Sequence, residues 1–152
     1  MRSLVTTDVK AYDAKAVLAL RVLVVDDNRD LVLSLMTLLR TEGYDARGVH
    51  DARNILRHVQ EYDPDVVILD IAMPGKTGWE AAREIRGAFP EKRFVIVGLS
   101  GEHMRGADRI HSQANGFDFY LMKPCDPKVL LTLLGWAAIR SPFRPASRQR
   151  AG

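Results

Sequence analysis

Acidic side chains stand directly after two short apolar runs of this sequence. Asp26 and Asp27 follow Val22–Val25, and Asp70 follows Val66–Leu69. Both runs are rich in β-branched residues, which predicts short strands buried on both faces of a parallel sheet. Because ligands bind beyond the carboxyl ends of such strands, the three carboxylates stand where chemistry is expected. Each could cap a helix, bind a metal ion or act as a nucleophile.

Two further polar residues follow predicted strands. Ser100 ends the apolar run 94–99, and Lys123 comes shortly after the run 117–121. If the sheet is doubly wound, its first and third strands end side by side, so the three carboxylates converge. Like charges that close need a cation, and an all-oxygen ligand set suits Mg²⁺. A lysine and a hydroxyl at the same edge suit the oxygens of a phosphoryl group, so the pattern favours phosphoryl chemistry.

The elements that must position these residues alternate between strand and helix. Strands are predicted at 22–25, 44–49, 66–70, 94–99 and 117–121. Helices are predicted after three candidate N-caps, Asn28, Asp51 and Asp126. Two more are predicted from Thr77 or Gly78 and over 103–114. Strict alternation with apolar strands predicts an α/β fold, a doubly wound parallel sheet with helices on both faces.

Composition places the chain among ordinary globular proteins. Its 152 residues, 47% apolar and 27% charged, suffice for about one domain with a core. No apolar run approaches the roughly 20 residues of a membrane span. The single cysteine, Cys125, fits a reducing compartment. We therefore expect a cytoplasmic protein without membrane attachment.

The net charge of +3 comes from the two ends of the chain. Removing the four basic and two acidic residues of 1–21 and the four arginines of 140–152 leaves 14 basic and 17 acidic residues in 22–139. The central region is therefore slightly acidic. A nucleic-acid-binding face would need the opposite sign, so we expect no nucleic acid partner.

The ordered motifs at the strand ends resemble a known family. An acidic pair, an aspartate before a Met-Pro-Gly loop, a Leu-Ser-Gly strand end and a tyrosine before Lys-Pro look like the receiver domain of bacterial two-component response regulators. The residues concerned are Asp26, Asp27, Asp70, Met73-Pro74-Gly75, Gly78, Leu99-Ser100-Gly101, Tyr120 and Lys123-Pro124. The resemblance covers about residues 20–139 and implies a flavodoxin-like (βα)5 fold of strand order 2-1-3-4-5.

The resemblance implies a role for each carboxylate. Asp70 would accept a phosphoryl group from a histidine kinase or a histidine phosphotransfer protein. Asp26 and Asp27 would hold Mg²⁺ together with Asp70. The backbone carbonyl of Ala72 would complete the protein's ligands.

The resemblance also implies a switch at the neighbouring strands. Lys123 would pair with the phosphoryl group, and Ser100 would move to bond one of its oxygens. Tyr120 would change rotamer into the space that Ser100 leaves. The Lys123–Pro124 peptide bond is expected to be cis.

Two positions are expected to tune the lifetime of the phosphoryl group. Ala72 lies two residues after Asp70, and Glu102 lies two after Ser100. In the family these positions flank the hydrolytic water, so a small Ala72 would leave its path open and Glu102 would orient it. The alternative for Glu102 is that it caps the following helix.

The ends of the chain bear on its partners. We divide it into an N-terminal extension (1–20), a receiver domain (21–140) and a basic, proline-containing tail (141–152). The last helix is apolar on nearly all sides over 129–139, whereas a helix covering one sheet face keeps a polar stripe. This predicts a homodimer through the helix and tail; the alternative is a tail folded over its own subunit. About a dozen residues follow Arg140, too few for a helix-turn-helix, so we expect a protein partner.

Other function classes remain open at this point. The chain could be the receiver of a hybrid histidine kinase. A Mg²⁺-dependent phosphatase of the haloacid dehalogenase type would also use a strand-end aspartate, but it would place an acid where Ala72 stands. A flavodoxin-like nucleotide binder would need a glycine-rich loop where Asp26-Asp27-Asn28 stands. We expect no enzymatic activity beyond phosphotransfer to, and hydrolysis at, the protein's own aspartate.

Overall fold

The computed structural model describes residues 20–101 and 116–140. The strands are β1 (Arg21–Val25), β2 (Asp45–Val49), β3 (Val66–Asp70), β4 (Val95–Ser100) and β5 (Phe119–Met122). The helices of the described ranges are α1 (Arg29–Thr41), α2 (Ile55–Tyr62), α3 (Gly78–Ala88) and α4 (Pro127–Arg140). The helix predicted over 103–114, the tail and nearly all of the N-terminal extension lie outside these ranges. Among the described helices, none is long and apolar enough to cross a bilayer.

The five strands form one parallel sheet in the order β2-β1-β3-β4-β5. This order confirms the predicted flavodoxin-like fold. It places β1 directly beside β3, with Val25 opposite Leu69. On the other side of β3, Asp70 is opposite Leu99. The residues that follow β1 and those that end β3 and β4 therefore share one edge of the sheet.

Helices cover both faces of the sheet, as alternating connections require. One core layer joins the sheet to α1 and α4 through residues such as Leu35 and Leu130. The other joins it to α2 and α3 through residues such as Ile55 and Ile85. Because β3 lies in the middle, all five of its residues are buried. The strand that carries Asp70 is thus enclosed from both faces.

Among the described helices, the predicted cap is confirmed for α1 and wrong for α2. Asn28 caps α1 by accepting a hydrogen bond from the Leu31 amide at 3.1 Å. The prediction that Asp51 caps α2 is wrong, because α2 begins only at Ile55. Asp51 instead accepts a hydrogen bond from the Arg53 amide at 3.0 Å, closing a turn before the helix.

A turn held by Arg86 precedes β5, where the sequence predicted strand from residue 117. The Arg86 guanidinium donates to the carbonyls of Gly116 and Phe94, each at 3.0 Å, and to the Asp118 carboxylate at 2.5 Å. Asp118 also accepts a hydrogen bond from the Ile96 amide at 2.8 Å. One side chain of α3 therefore fixes the starts of β4 and β5.

Replacing Arg86 by alanine is expected to lower the free energy of unfolding by about 2 kcal/mol, because three hydrogen bonds to a partly buried guanidinium are lost. Arg57→Ala is the matched control. Its guanidinium is exposed and pairs with Glu61 one turn along α2, so a loss below about 0.5 kcal/mol is expected. Urea denaturation followed by circular dichroism measures both. Equal losses in the two variants would contradict the role given to Arg86.

Candidate functional site

Three carboxylates meet beyond the ends of β1 and β3. One oxygen from each of Asp26, Asp27 and Asp70 can be chosen so that all three lie within 4.8 Å of one another. Asp26 and Asp70 are buried and Asp27 is exposed. The convergence follows from the strand order, because β1 and β3 are neighbours and end at the same edge. The donor set is all oxygen and opens to solvent on one side, which fits a hard cation such as Mg²⁺.

Lys123 faces two of these carboxylates. Its Nζ lies 2.8 Å from Asp26 Oδ2 and 3.2 Å from Asp70 Oδ1. The backbone positions it as well, since its amide donates to the Ser100 carbonyl at 2.7 Å. The Lys123–Pro124 bond is cis, which confirms that prediction. Burial alone would lower the pKa of Lys123, but its contacts with Asp26 and Asp70 raise the pKa above its usual value.

Asp70 is an unusual carboxyl group. It is only 3% exposed, and its Oδ1 accepts a hydrogen bond from the Ala72 amide at 3.3 Å. Burial and the neighbouring charge of Asp26 raise its pKa to about 6, against the lowering effect of Lys123. The charged form is therefore poorly satisfied in the protein alone, which is a common property of reactive and metal-binding carboxylates.

The loop after Asp70 is held tightly against α3. Gly78 donates its amide to the Ile71 carbonyl at 2.9 Å. An ideal Cβ on Gly78 would lie 2.3 Å from the Asp70 carbonyl oxygen, so only glycine fits at this position. Thr77 and Glu80 form a capping box that starts the helix there. Sequence reasoning named Gly78 as a family residue but did not see that its backbone touches the Asp70 peptide.

Ser100 and Tyr120 lie on neighbouring strands, on the side of the sheet that faces α2 and α3. Ser100 is 1% exposed, and its Oγ lies 3.5 Å from the Leu121 carbonyl oxygen, a long contact for a hydrogen bond. Tyr120 is half-buried and pairs in register with Gly98. Its ring packs against Phe117, with centroids 5.5 Å apart. Sequence reasoning missed Phe117 and Gly98, because nothing in their local pattern distinguishes them from ordinary core positions.

One of the two expected tuning positions lies within the described residues. Ala72 is exposed two residues after Asp70, and its effect on the lifetime of a phosphoryl group stays a prediction. Glu102 lies outside the described residues.

The class of protein is thus a doubly wound α/β protein with an acidic triad and a lysine beyond the ends of its strands, and comparison with known proteins gives the family. Residues 22–135 match the response regulator receiver domain. The chain belongs to this family, whose members act in two-component signalling.

Relatives include both regulators and a kinase. The chain is 35% identical over 112 residues to the CAI-1 autoinducer sensor kinase/phosphatase CqsS of Vibrio cholerae. The aligned region covers 73% of this chain and 16% of CqsS. It is 34% identical over 126 residues to the DNA-binding response regulator MtrA of Mycobacterium tuberculosis. That match covers 83% of this chain and 54% of MtrA. The chain thus spans about half of MtrA and a small part of CqsS.

A solved structure shows the same fold over nearly its whole length. The Vibrio cholerae chemotaxis protein CheY4 superposes with a TM-score of 0.72 at 29% identity, covering 78% of this chain and 98% of that one.

Proposed function

We propose that this chain stores a signal as a phosphoryl group on Asp70, received from a histidine kinase or a histidine phosphotransfer protein. The observation that best supports this proposal is the surroundings of Asp70. Two further carboxylates lie within 4.8 Å, and the Lys123 ammonium lies 3.2 Å from Asp70 Oδ1. A carboxylate can act as the nucleophile in phosphoryl transfer when its neighbours position it and neutralise charge.

The residues of this chain divide the work of the transfer. An Asp70 carboxylate oxygen attacks phosphorus, and the phosphorus–nitrogen bond to the donor histidine breaks with its electron pair remaining on nitrogen. Lys123 faces the charge that then develops on the phosphoryl oxygens. Asp26, Asp27, Asp70 and the Ala72 carbonyl would hold Mg²⁺, which when bound supplies the positive charge that the acidic pocket lacks. Water later cleaves the acyl phosphate and restores the carboxylate.

Storage becomes a signal because the new group is larger and more charged than a carboxylate. Phosphorylation adds up to about two negative charges and several hydrogen-bond acceptors at Asp70. The contact of Ser100 Oγ with the Leu121 carbonyl oxygen is long, so little of it is lost when Ser100 turns toward a phosphoryl oxygen. Tyr120 lies two residues before Met122, which is the register partner of Ser100. We expect Tyr120 to be the side chain that responds to the movement of Ser100. The surface near β5 and α4 would then present a changed face to a protein partner.

Incubation with acetyl phosphate and Mg²⁺ is expected to add the mass of one phosphoryl group to the wild type and none to Asp70→Asn. Asp30→Asn, which removes an exposed acid in the first turn of α1, is the matched control and should be phosphorylated normally. Leaving out Mg²⁺ should strongly reduce the adduct. An adduct on Asp70→Asn, or none on the wild type, would refute the proposal.

A second context is favoured by a specific observation. CqsS, a sensor kinase/phosphatase, is as similar to this chain as MtrA is. The same Asp70 chemistry could therefore serve a receiver that exchanges phosphoryl groups with a histidine phosphotransfer protein. Rapid phosphorylation by a phosphotransfer protein and slow phosphorylation by kinases would favour this context over a response regulator driven by one kinase.

We also propose that α4 forms a homodimer. Leu130 and Leu134 are fully buried against the sheet, while Trp136 is 41% and Ile139 is 67% exposed. Ile139→Lys should therefore lower the sedimentation coefficient at tens of micromolar if two copies meet here. Leu33→Lys, at a 65% exposed leucine of α1, is the control and should leave it unchanged. A wild type that sediments only as a monomer, with and without a phosphoryl donor, would refute the dimer.

A further inference from the structure

A glycine within β4 leaves a gap on the sheet that an aromatic ring fills. An ideal Cβ on Gly98 would lie 3.0 Å from Cδ1 and Cε1 of Phe117 and 3.1 Å from Cδ1 of Ile71. Real Cβ atoms rarely have neighbours this close, so a side chain at position 98 would displace one of the two. Phe117 is itself only 4% exposed. Its ring is therefore seated directly over the backbone of β4.

The same ring is the neighbour of Tyr120. Gly98 and Tyr120 are register partners across β4 and β5, and the Phe117 and Tyr120 rings pack at 5.5 Å with an angle of 43° between their planes. Ile71, whose Cδ1 also lies near this gap, directly follows Asp70 in the chain. An apolar path thus runs from the residue after the phosphoacceptor, across Gly98, to Tyr120, separate from the polar contact of Ser100.

We infer that Phe117 is a positioning residue that holds Tyr120 in its observed rotamer, and that Gly98 provides the space that allows it. The inference rests on the proposed function in one respect, namely that Tyr120 responds to the phosphoryl group. Removing the ring removes the aromatic pair that stabilises one rotamer over the others. The rotamer ratio should then change by roughly two- to tenfold, the range typical of such pairs.

Gly98 also lets the Phe117 ring lie directly against the backbone of β4, which a larger residue would prevent. Because no side chain separates Phe117 from β4, a shift of Ile71 on phosphorylation would act on the ring without an intervening group. Two changes would then destabilise the observed rotamer of Tyr120, namely the loss of its packing against Phe117 and the movement of Ser100. Both act on one two-state side chain, which is the condition for real coupling between sites.

Fluorine NMR of the full chain labelled with 3-fluorotyrosine tests the inference, with Tyr120→Phe identifying the signal. In the unphosphorylated protein, Phe117→Leu should move or split the Tyr120 signal toward the position reached in the wild type with beryllofluoride and Mg²⁺. Phe94→Leu is the matched control. Phe94 is a 3% exposed ring of the same core layer, and it packs against Arg86, with Cζ 5.3 Å from the ring centroid. This variant should leave the Tyr120 signal in place.

Two further variants keep the test decisive if Phe117→Leu fails to fold. Phe117→Met fills more of the space without a ring, and Gly98→Ala pushes the ring from below; each should change the Tyr120 signal as Phe117→Leu does. An unchanged signal in a folded Phe117 variant overturns the inference. A wild type whose Tyr120 signal ignores beryllofluoride overturns the proposed switch instead, while the Phe117 comparison still decides the positioning role.

Discussion

Asp70→Asn is expected to make the protein without Mg²⁺ more stable than the wild type at pH 7.5, by about 1–3 kcal/mol. The reason is that the buried Asp70 carboxylate lies beside Asp26, so its pKa rises to about 6 in the folded state. Folding at neutral pH therefore includes the cost of charging this group inside the protein. Asparagine keeps the shape and removes that cost. Urea denaturation in the presence of a chelator measures the difference.

The pH dependence of this difference has a definite sign. Below about pH 4 the carboxyl is protonated in both states and costs nothing. Between about pH 4 and pH 6 the unfolded chain loses the Asp70 proton first, so the folded protein binds more protons and its stability falls as pH rises. Above that window the gap to Asp70→Asn stays constant. A stability difference between Asp70→Asn and the wild type that is absent at pH 7.5, or that grows toward low pH, would contradict this account. The control Asp30→Asn should differ from the wild type by no more than about 0.5 kcal/mol.

Gly78→Ala is expected to cost about 3 kcal/mol of stability and to slow phosphorylation of Asp70 at least tenfold. The added Cβ would lie 2.3 Å from the Asp70 carbonyl oxygen and 2.6 Å from the Ile71 Cα. Both are backbone atoms, so no side-chain rotation relieves the contact. The start of α3 must move away from β3 and take the loop beside Asp70 with it.

Gly87→Ala is the control for this substitution because it lies in the same helix. Its new Cβ would meet nothing within 4 Å, so alanine should stabilise α3 by about 0.5–1 kcal/mol through its better helix propensity. Phosphorylation should remain normal. Urea denaturation and the rate of adduct formation with acetyl phosphate give both readings, and similar behaviour of the two variants would contradict the close contact at Gly78.

The sequence predicts most of the sheet because its strands are short apolar runs with turn residues between them. The runs at 22–25 and 66–69 were predicted as buried strands, and the observed strand order brings the carboxylates that follow them together. The caps at Asn28 and Thr77 were also predictable, because each depends on residues within one turn. Asp51 was misassigned because an aspartate can close a turn as readily as it caps a helix.

What the sequence could not predict depends on atoms far apart in the chain. The sequence does not distinguish the surroundings of Gly78 from those of Gly98. In the structure Gly78 lies against the Asp70 backbone, whereas Gly98 makes room for Phe117. The grip of Arg86 on Asp118 spans 32 residues and has no local pattern. The ion pairs of Lys123 with Asp26 and Asp70 likewise join residues far apart in the chain, and its pairing with a phosphoryl group stays a prediction.

The complete burial of β3 has a consequence for how information can leave the site. A strand enclosed on both faces should show the slowest amide hydrogen exchange in the protein, since its amides open only with global unfolding. Under the proposed function, the phosphoryl group would therefore be received at the end of the most rigid element. Because β3 itself is too rigid to change shape, the conformational change must take place in less protected strands. On the side of Lys123 the outermost strand is β5, which β4 separates from β3.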